Sequence, residues 1–132
     1  MATKTAVQRQ REAKITYNAF LAACPTRQLL DTLSNKWVCL VLTALDDGPR
    51  RHSDLKRIIA GVSQKMLTQT LRGLERDGLI TRRLTLEVPV RADYELTPLG
   101  QSLTPVVEAV KKWAEVNMDE VLRARHRYDR AS

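Results

Sequence analysis

Five polar side chains between residues 65 and 76 recur at helical spacing: Lys65, Thr68, Gln69, Arg72 and Arg76. At 100° per residue they cover roughly 100° of arc on one side of a helix. Ser63, Leu67, Thr70, Leu71 and Leu74 fall on the opposite side, where Leu55 and Ile58 are their expected packing partners. A stripe that mixes cations with amide and hydroxyl groups matches what base edges present in a major groove. Glutamine pairs with adenine, lysine and arginine with guanine or phosphate, and threonine meets the thymine methyl. Gln64, Lys65, Thr68 and Gln69 should reach bases, with Arg72 nearer the backbone. The helix start at Ser63 itself favours phosphate. A plain solvated helix would show the same stripe, so the reading leans on its neighbours. Arg82 and Arg83 lie on a predicted strand and Arg91 just past its turn, where they can lie along a minor groove or backbone. Arg50 and Arg51 begin the preceding element and are candidate phosphate clamps, with surface solubility as the alternative.

Cys24 precedes Pro25, at the expected N-cap of a helix, with Arg27 close by. A helix N-terminus stabilises a thiolate, which makes Cys24 a candidate redox-sensing residue. Local sequence alone favours the plainer alternative, a small cysteine without a redox task. Cys39 sits in an apolar segment, on the side of Thr43 and Asp46, and reads as filler or interface lining. His52 and His126 are far apart in sequence and lack cysteine or histidine neighbours, so no metal site is expected. No phosphate loop, nucleophile elbow or acid–base pair is readable, so neither catalysis nor a cofactor is expected.

The 132 residues fit one domain with a real core. Net charge is +7, and residues 50–91 hold ten basic groups against four acidic ones, so +6 of it lies there. A basic excess attracts polyanions without choosing among DNA, RNA and anionic membrane. No apolar run approaches the ~20 residues of a membrane span, and Met1–Thr5 is polar with no signal core behind it. The expectation is a cytoplasmic protein without membrane contact. Two thiols argue against a disulfide framework.

These side chains need elements to hold them. Residues 1–23 read as a loose or helical arm, and 24–132 as one domain. Pro25 opens a short helix to Leu33, and Ser34 or Asn35 caps a second, Lys36 to Asp46, stopped by Gly48-Pro49. Ser53 is the expected cap of a third, through Ile59. Ala60-Gly61-Val62 is the turn, and Ser63 caps a fourth to Asp77, halted by Gly78. Two short helices on a three-residue turn containing glycine have helix-turn-helix spacing. Strands are expected at Leu79–Glu87 and Val90–Leu96, around Val88-Pro89. Thr97-Pro98 starts a last helix, with a kink or break near Pro105 and a fraying tail from Arg123.

The ordered blocks Cys24-Pro25, Lys36-Trp37, Gly48-Pro49-Arg50-Arg51, Ser53-Asp54-Leu55 and Ile59-Ala60-Gly61-Val62-Ser63 continue through Met66-Leu67-Thr68, Leu71-Arg72, Leu74-Glu75 and Asp77-Gly78-Leu79-Ile80. Arg82-Arg83, Val88-Pro89, Tyr94-Glu95-Leu96-Thr97, Leu99-Gly100, Leu103 and Trp113 follow. Together they resemble the HxlR family of winged helix-turn-helix transcription regulators, a branch close to MarR. The resemblance implies a mainly α fold with a small β-hairpin wing (α+β). It implies a homodimer built by the first helix and the C-terminal helices (about 98–125). The Ser63–Asp77 helix would enter the major groove of double-stranded DNA, with 79–96 as wing. In several members the cysteine before the first proline senses electrophiles or disulfide stress; here that residue is Cys24. Departures are His52, where phenylalanine is usual, Ser34-Asn35 in place of a glycine-containing pair, and the long arm. The expected function is a dimeric regulator on a pseudo-palindromic operator, with half-sites ~34–36 Å apart, responsive through Cys24. The alternatives are a repressor released by a small aromatic effector without cysteine sensing, as in the MarR branch, or a winged-helix RNA or protein interaction module.

Overall fold

The computed structural model describes residues 5–21 and 24–131, the side chains of 16–21 excepted. The order is α1 (Ala6–Leu21), α2 (Pro25–Leu33), α3 (Val38–Leu45), β1 (Arg50–Arg51), α4 (His52–Ile58), α5 (Gln64–Arg76), β2 (Ile80–Thr85), β3 (Arg91–Leu96) and α6 (Pro98–Ala131). The expected arm is helical in α1; residues 1–4, 22 and 23, and the side chains of its apolar second half, lie outside the described residues.

The core is what makes α5 a rigid platform. Val41, Leu42 and Leu45 of α3 meet Leu55 of α4 and Leu67, Leu71 and Leu74 of α5, all essentially removed from water. Burying one such side chain is worth roughly 1.5–3 kcal/mol, so α5 cannot rotate about its axis without exposing three leucines. Ser63 caps α5, accepting the Met66 N–H at 3.1 Å. At the other end Gly78 (φ +75°) takes the left-handed turn. Its N–H bonds the Glu75 carbonyl, and the Leu79 N–H bonds that of Leu74, both at 3.0 Å. This Schellman closure brings Leu79 onto Leu74 and feeds the chain directly into β2.

The three strands form one antiparallel sheet in the order β1-β3-β2, registered Arg50↔Tyr94 and Ile80↔Leu96 through Thr85↔Arg91. The last helix is pinned where the sheet leaves α5. The Thr97 hydroxyl accepts the Gly100 N–H and donates to the Gly78 carbonyl at 2.6 Å. Gly100 is required there: a Cβ would stand 2.0 Å from the Leu79 carbonyl oxygen.

Several expectations need correction. The strands are shorter than read, ending at Thr85 and resuming at Arg91. The second apolar helix starts at Val38, and Asn35 Oδ1 accepts the Trp37 N–H just ahead of it. Helix α4 begins at His52, not after Ser53, because Asp54 reaches back to the Arg51 N–H at 3.3 Å. That N–H, helped by Arg57 against some desolvation, holds the Asp54 carboxyl below its usual range. Ile58 is 50% exposed while Ile59 is 3% exposed. Ile59 leaves the helix in an extended conformation, and that turn swings its side chain, not that of Ile58, into the core. Helix α6 is unbroken through Pro105 and helical to Ala131, so neither the break nor the frayed tail occurs. Pro105 cannot donate to the Gln101 carbonyl; the Thr104 hydroxyl does so instead, at 2.7 Å.

Candidate nucleic-acid interface

The outward side of α5 carries the predicted stripe. Gln64, Lys65, Gln69, Arg72 and Arg76 are exposed and Thr68 is half-buried. Gln64, Lys65, Thr68, Gln69 and Arg72 line one shallow concavity. Thr70, on the inner side, is buried and spends its hydroxyl on the Met66 carbonyl at 2.8 Å. Thr68 does otherwise: its hydroxyl meets His52 Nε2 at 3.1 Å. The sequence offers no role for His52 beyond its standing where phenylalanine is usual. A separation of 16 residues hides such a pair until α4 and α5 are packed.

The arginines are sorted by strand period. Direct pairing in an antiparallel ladder puts partners on one face. Ile80, Arg82, Tyr94 and Arg50 therefore share the face that begins in the core, while Arg51, Arg83, Arg91, Asp93 and Glu95 share the other. Arg82 and Arg83, read together in the sequence, point opposite ways. On the outer face Arg83 pairs with Glu95 at 2.5 Å and Arg91 with Asp93 at 3.1 Å. Arg50 turns inward and donates from Nε to the Ala44 carbonyl at 2.7 Å, with Asp47 at 3.8 Å, so it closes the C-terminus of α3. Arg51 is exposed. Together with His52 and Ser53 it lines a cleft shared with Glu87, Val90 and Arg91 of the wing. Beyond that cleft the wing tip is apolar and exposed at Leu84, Leu86, Val88 and Val90, a feature the basic count had masked.

Cys24 occupies the N-cap of α2, as expected, in extended geometry with Pro25 behind it. The Arg27 peptide N–H lowers its thiol pKa most; partial burial opposes this, and the Thr26 N–H and hydroxyl add to the lowering. Cys39 is half-buried against the core, and desolvation raises its pKa. Among the described residues no cluster of histidine, cysteine and carboxylates is fit for a metal, and no helix is long and apolar enough to cross a membrane.

The model of the HxlR-like helix-turn-helix family matches residues 32–122, from the end of α2 through most of α6. The chain belongs to that family. It is an HTH-type, DNA-binding regulator of transcription with a winged-helix fold. A protein of Escherichia coli named HTH-type transcriptional regulator YtfH is 44% identical over 108 residues, covering 82% of this chain and 86% of that one. The solved structure of YtfH from Salmonella typhimurium superposes with a TM-score of 0.73 at 43% identity, over 81% of this chain and 96% of that one. The redox regulator HypR, in its reduced form, gives 0.71 at 37% identity, over 76% and 98%. Within this HxlR-family chain, the buried leucines of α5 and the pinned start of α6 fix where the exposed stripe points.

Proposed function

We propose that this HxlR-family regulator acts as a homodimer whose two α5 helices read successive major grooves of a pseudo-palindromic duplex. The observation that carries the reading is the polar stripe Gln64, Lys65, Thr68, Gln69 and Arg72, held outward by the buried leucines of the same helix. Gln64, Lys65, Thr68 and Gln69 face bases, and the Ser63 end of the helix takes phosphate. Arg72, Arg82 and Arg51 position the backbone, with Arg83 and Arg91 contributing less because each is already paired to a carboxylate. Arg50 acts from within, by holding β1 against α3. Support for the dimer comes from α6, whose Val106, Val110, Trp113 and Val116 are all exposed at helical spacing. Selecting bound duplexes from random DNA should return an inverted repeat with half-centres about one turn apart. Equal affinity for duplex DNA and RNA at fixed salt would defeat the reading in favour of an RNA-binding module.

A second reading, that the signal is a small electrophile or oxidant acting at Cys24, is favoured by two observations. The thiol with the lowered pKa sits on a helix start, and a redox regulator is among the similar structures. Oxidant should weaken operator binding by the native protein and leave the Cys24→Ser variant unaffected. Release by a small aromatic effector that survives loss of both cysteines would point to the other trigger instead.

A further inference from the structure

We propose that His52 is a positioning residue for base reading: through Nε2 it holds the Thr68 hydroxyl and so selects which part of Thr68 meets the base pair. The inference rests on the reading of Thr68 as a base-facing residue. The two side chains approach to 3.1 Å from different elements, both half-buried. A helical threonine has two accessible χ1 rotamers, one of which bonds the carbonyl four residues back. Thr70 and Thr43 take that bond, to Met66 and Cys39, each at 2.8 Å. For Thr68 the equivalent carbonyl is that of Gln64, and His52 draws the hydroxyl away from it.

A hydroxyl has one proton to give and two lone pairs to receive with. Held by His52, the hydroxyl has one of these sites already committed, which turns the methyl to one side and narrows what is left for a base. If the ring nitrogen accepts, Thr68 offers DNA only acceptors, which suits the amino groups of adenine and cytosine. If it donates, Thr68 keeps its proton for guanine or thymine oxygens. The anchor is firm. His52 is the first residue of α4, directly after Arg51, whose N–H is bound by Asp54 and whose backbone lies in strand register with Asp93 of β3. The wing strand, His52 and the base-facing residue are therefore one mechanical series. Phenylalanine at this position would offer the hydroxyl nothing.

The test is selection from a randomised duplex library with the full chain, then titration of the best duplex and its single-base-pair variants. His52→Phe and His52→Asn, the latter polar but too short, should lose roughly fivefold of discrimination at one base pair, the factor for one ordinary hydrogen bond. That base pair should be the one at which Thr68→Val loses discrimination. His52→Gln, whose amide reaches the Nε2 position, should retain it, and this polar pair carries the test if the Phe variant folds poorly. In a Thr68→Val background, His52→Phe should add no further loss. Additive losses, a loss at a different base pair, or a uniform loss that tracks a lowered Tm would overturn the proposal. A Thr68→Val variant with unchanged preference everywhere would overturn it too, and would do so by removing Thr68 from base reading.

Discussion

Gln69 and Arg82 both face solvent, yet they should fail differently when removed. Gln69 offers a donor and an acceptor on a fixed helix, so Gln69→Ala should relax preference at one base pair and leave others intact. Arg82 has no carboxylate partner among the described residues, so Arg82→Ala should weaken binding to every duplex and reduce the slope of log K against log salt by about one. Arg83→Ala should act in the same direction but less, since Glu95 already neutralises part of that charge. Titrations at several salt concentrations check all three. The two thiols diverge as well. Cys24 has its pKa lowered by the Arg27 N–H, so its reactive thiolate persists to lower pH than that of an ordinary cysteine. Cys39 has its pKa raised by burial and needs higher pH. Iodoacetamide should therefore label Cys24 first, and its rate should fall off at a lower pH than that of Cys39; a rate for Cys24 that falls off at the pH of an ordinary free cysteine, read by mass spectrometry at a series of pH values, would show that the helix start has no influence.

Two glycines of neighbouring helices behave oppositely at the scale of the element. In α6, Gly100 lets the helix backbone come against the Leu79 carbonyl, which belongs to chain that cannot give way. Gly100→Ala should cost about 2–3 kcal/mol or more in urea unfolding, because the start of α6 must lift off the α5–β2 corner. In α5, an added Cβ at Gly73 meets nothing within 4 Å. Gly73→Ala should stabilise by up to about 1 kcal/mol, the gain in helix propensity. If the two shifts had the same sign, the close approach of α6 to Leu79 would not be what requires Gly100. The sequence misread α6 one turn further on: Pro105 reads as a break until Thr104 is seen bonding the Gln101 carbonyl.

At the scale of the whole molecule the longest element is α6, a helix of 34 residues, about 51 Å long at 1.5 Å per residue. Of these only Gly100 and Val107 are buried. Trp113 is 58% exposed, in line with Val106, Val110 and Val116. A row of large apolar groups in water is the mark of an unpartnered interface. On the proposed dimer, Trp113→Asp should shift sedimentation toward the monomer and lower operator affinity while leaving the monomer fold intact, since Trp113 adds little to the core. A Trp113→Asp protein that remained dimeric would move the interface away from this face of α6.

The sequence by itself determined what depends on local periodicity and local chemistry. Buried leucines every three or four residues oriented α5, Ser63 and Gly78 bounded it, and Cys24 before Pro25 marked a helix start. Each of those signals lies within one turn of the residue it governs. Tertiary structure decided whatever depends on partners far along the chain. The strand register split Arg82 from Arg83 and paired Arg83 and Arg91 with carboxylates of β3. Packing of β1 turned Arg50 to the Ala44 carbonyl, and packing of α4 on α5 brought His52 to Thr68. A side chain's charge can be read from its letter, but whether that charge is free for a phosphate depends on which opposite charge the fold puts beside it.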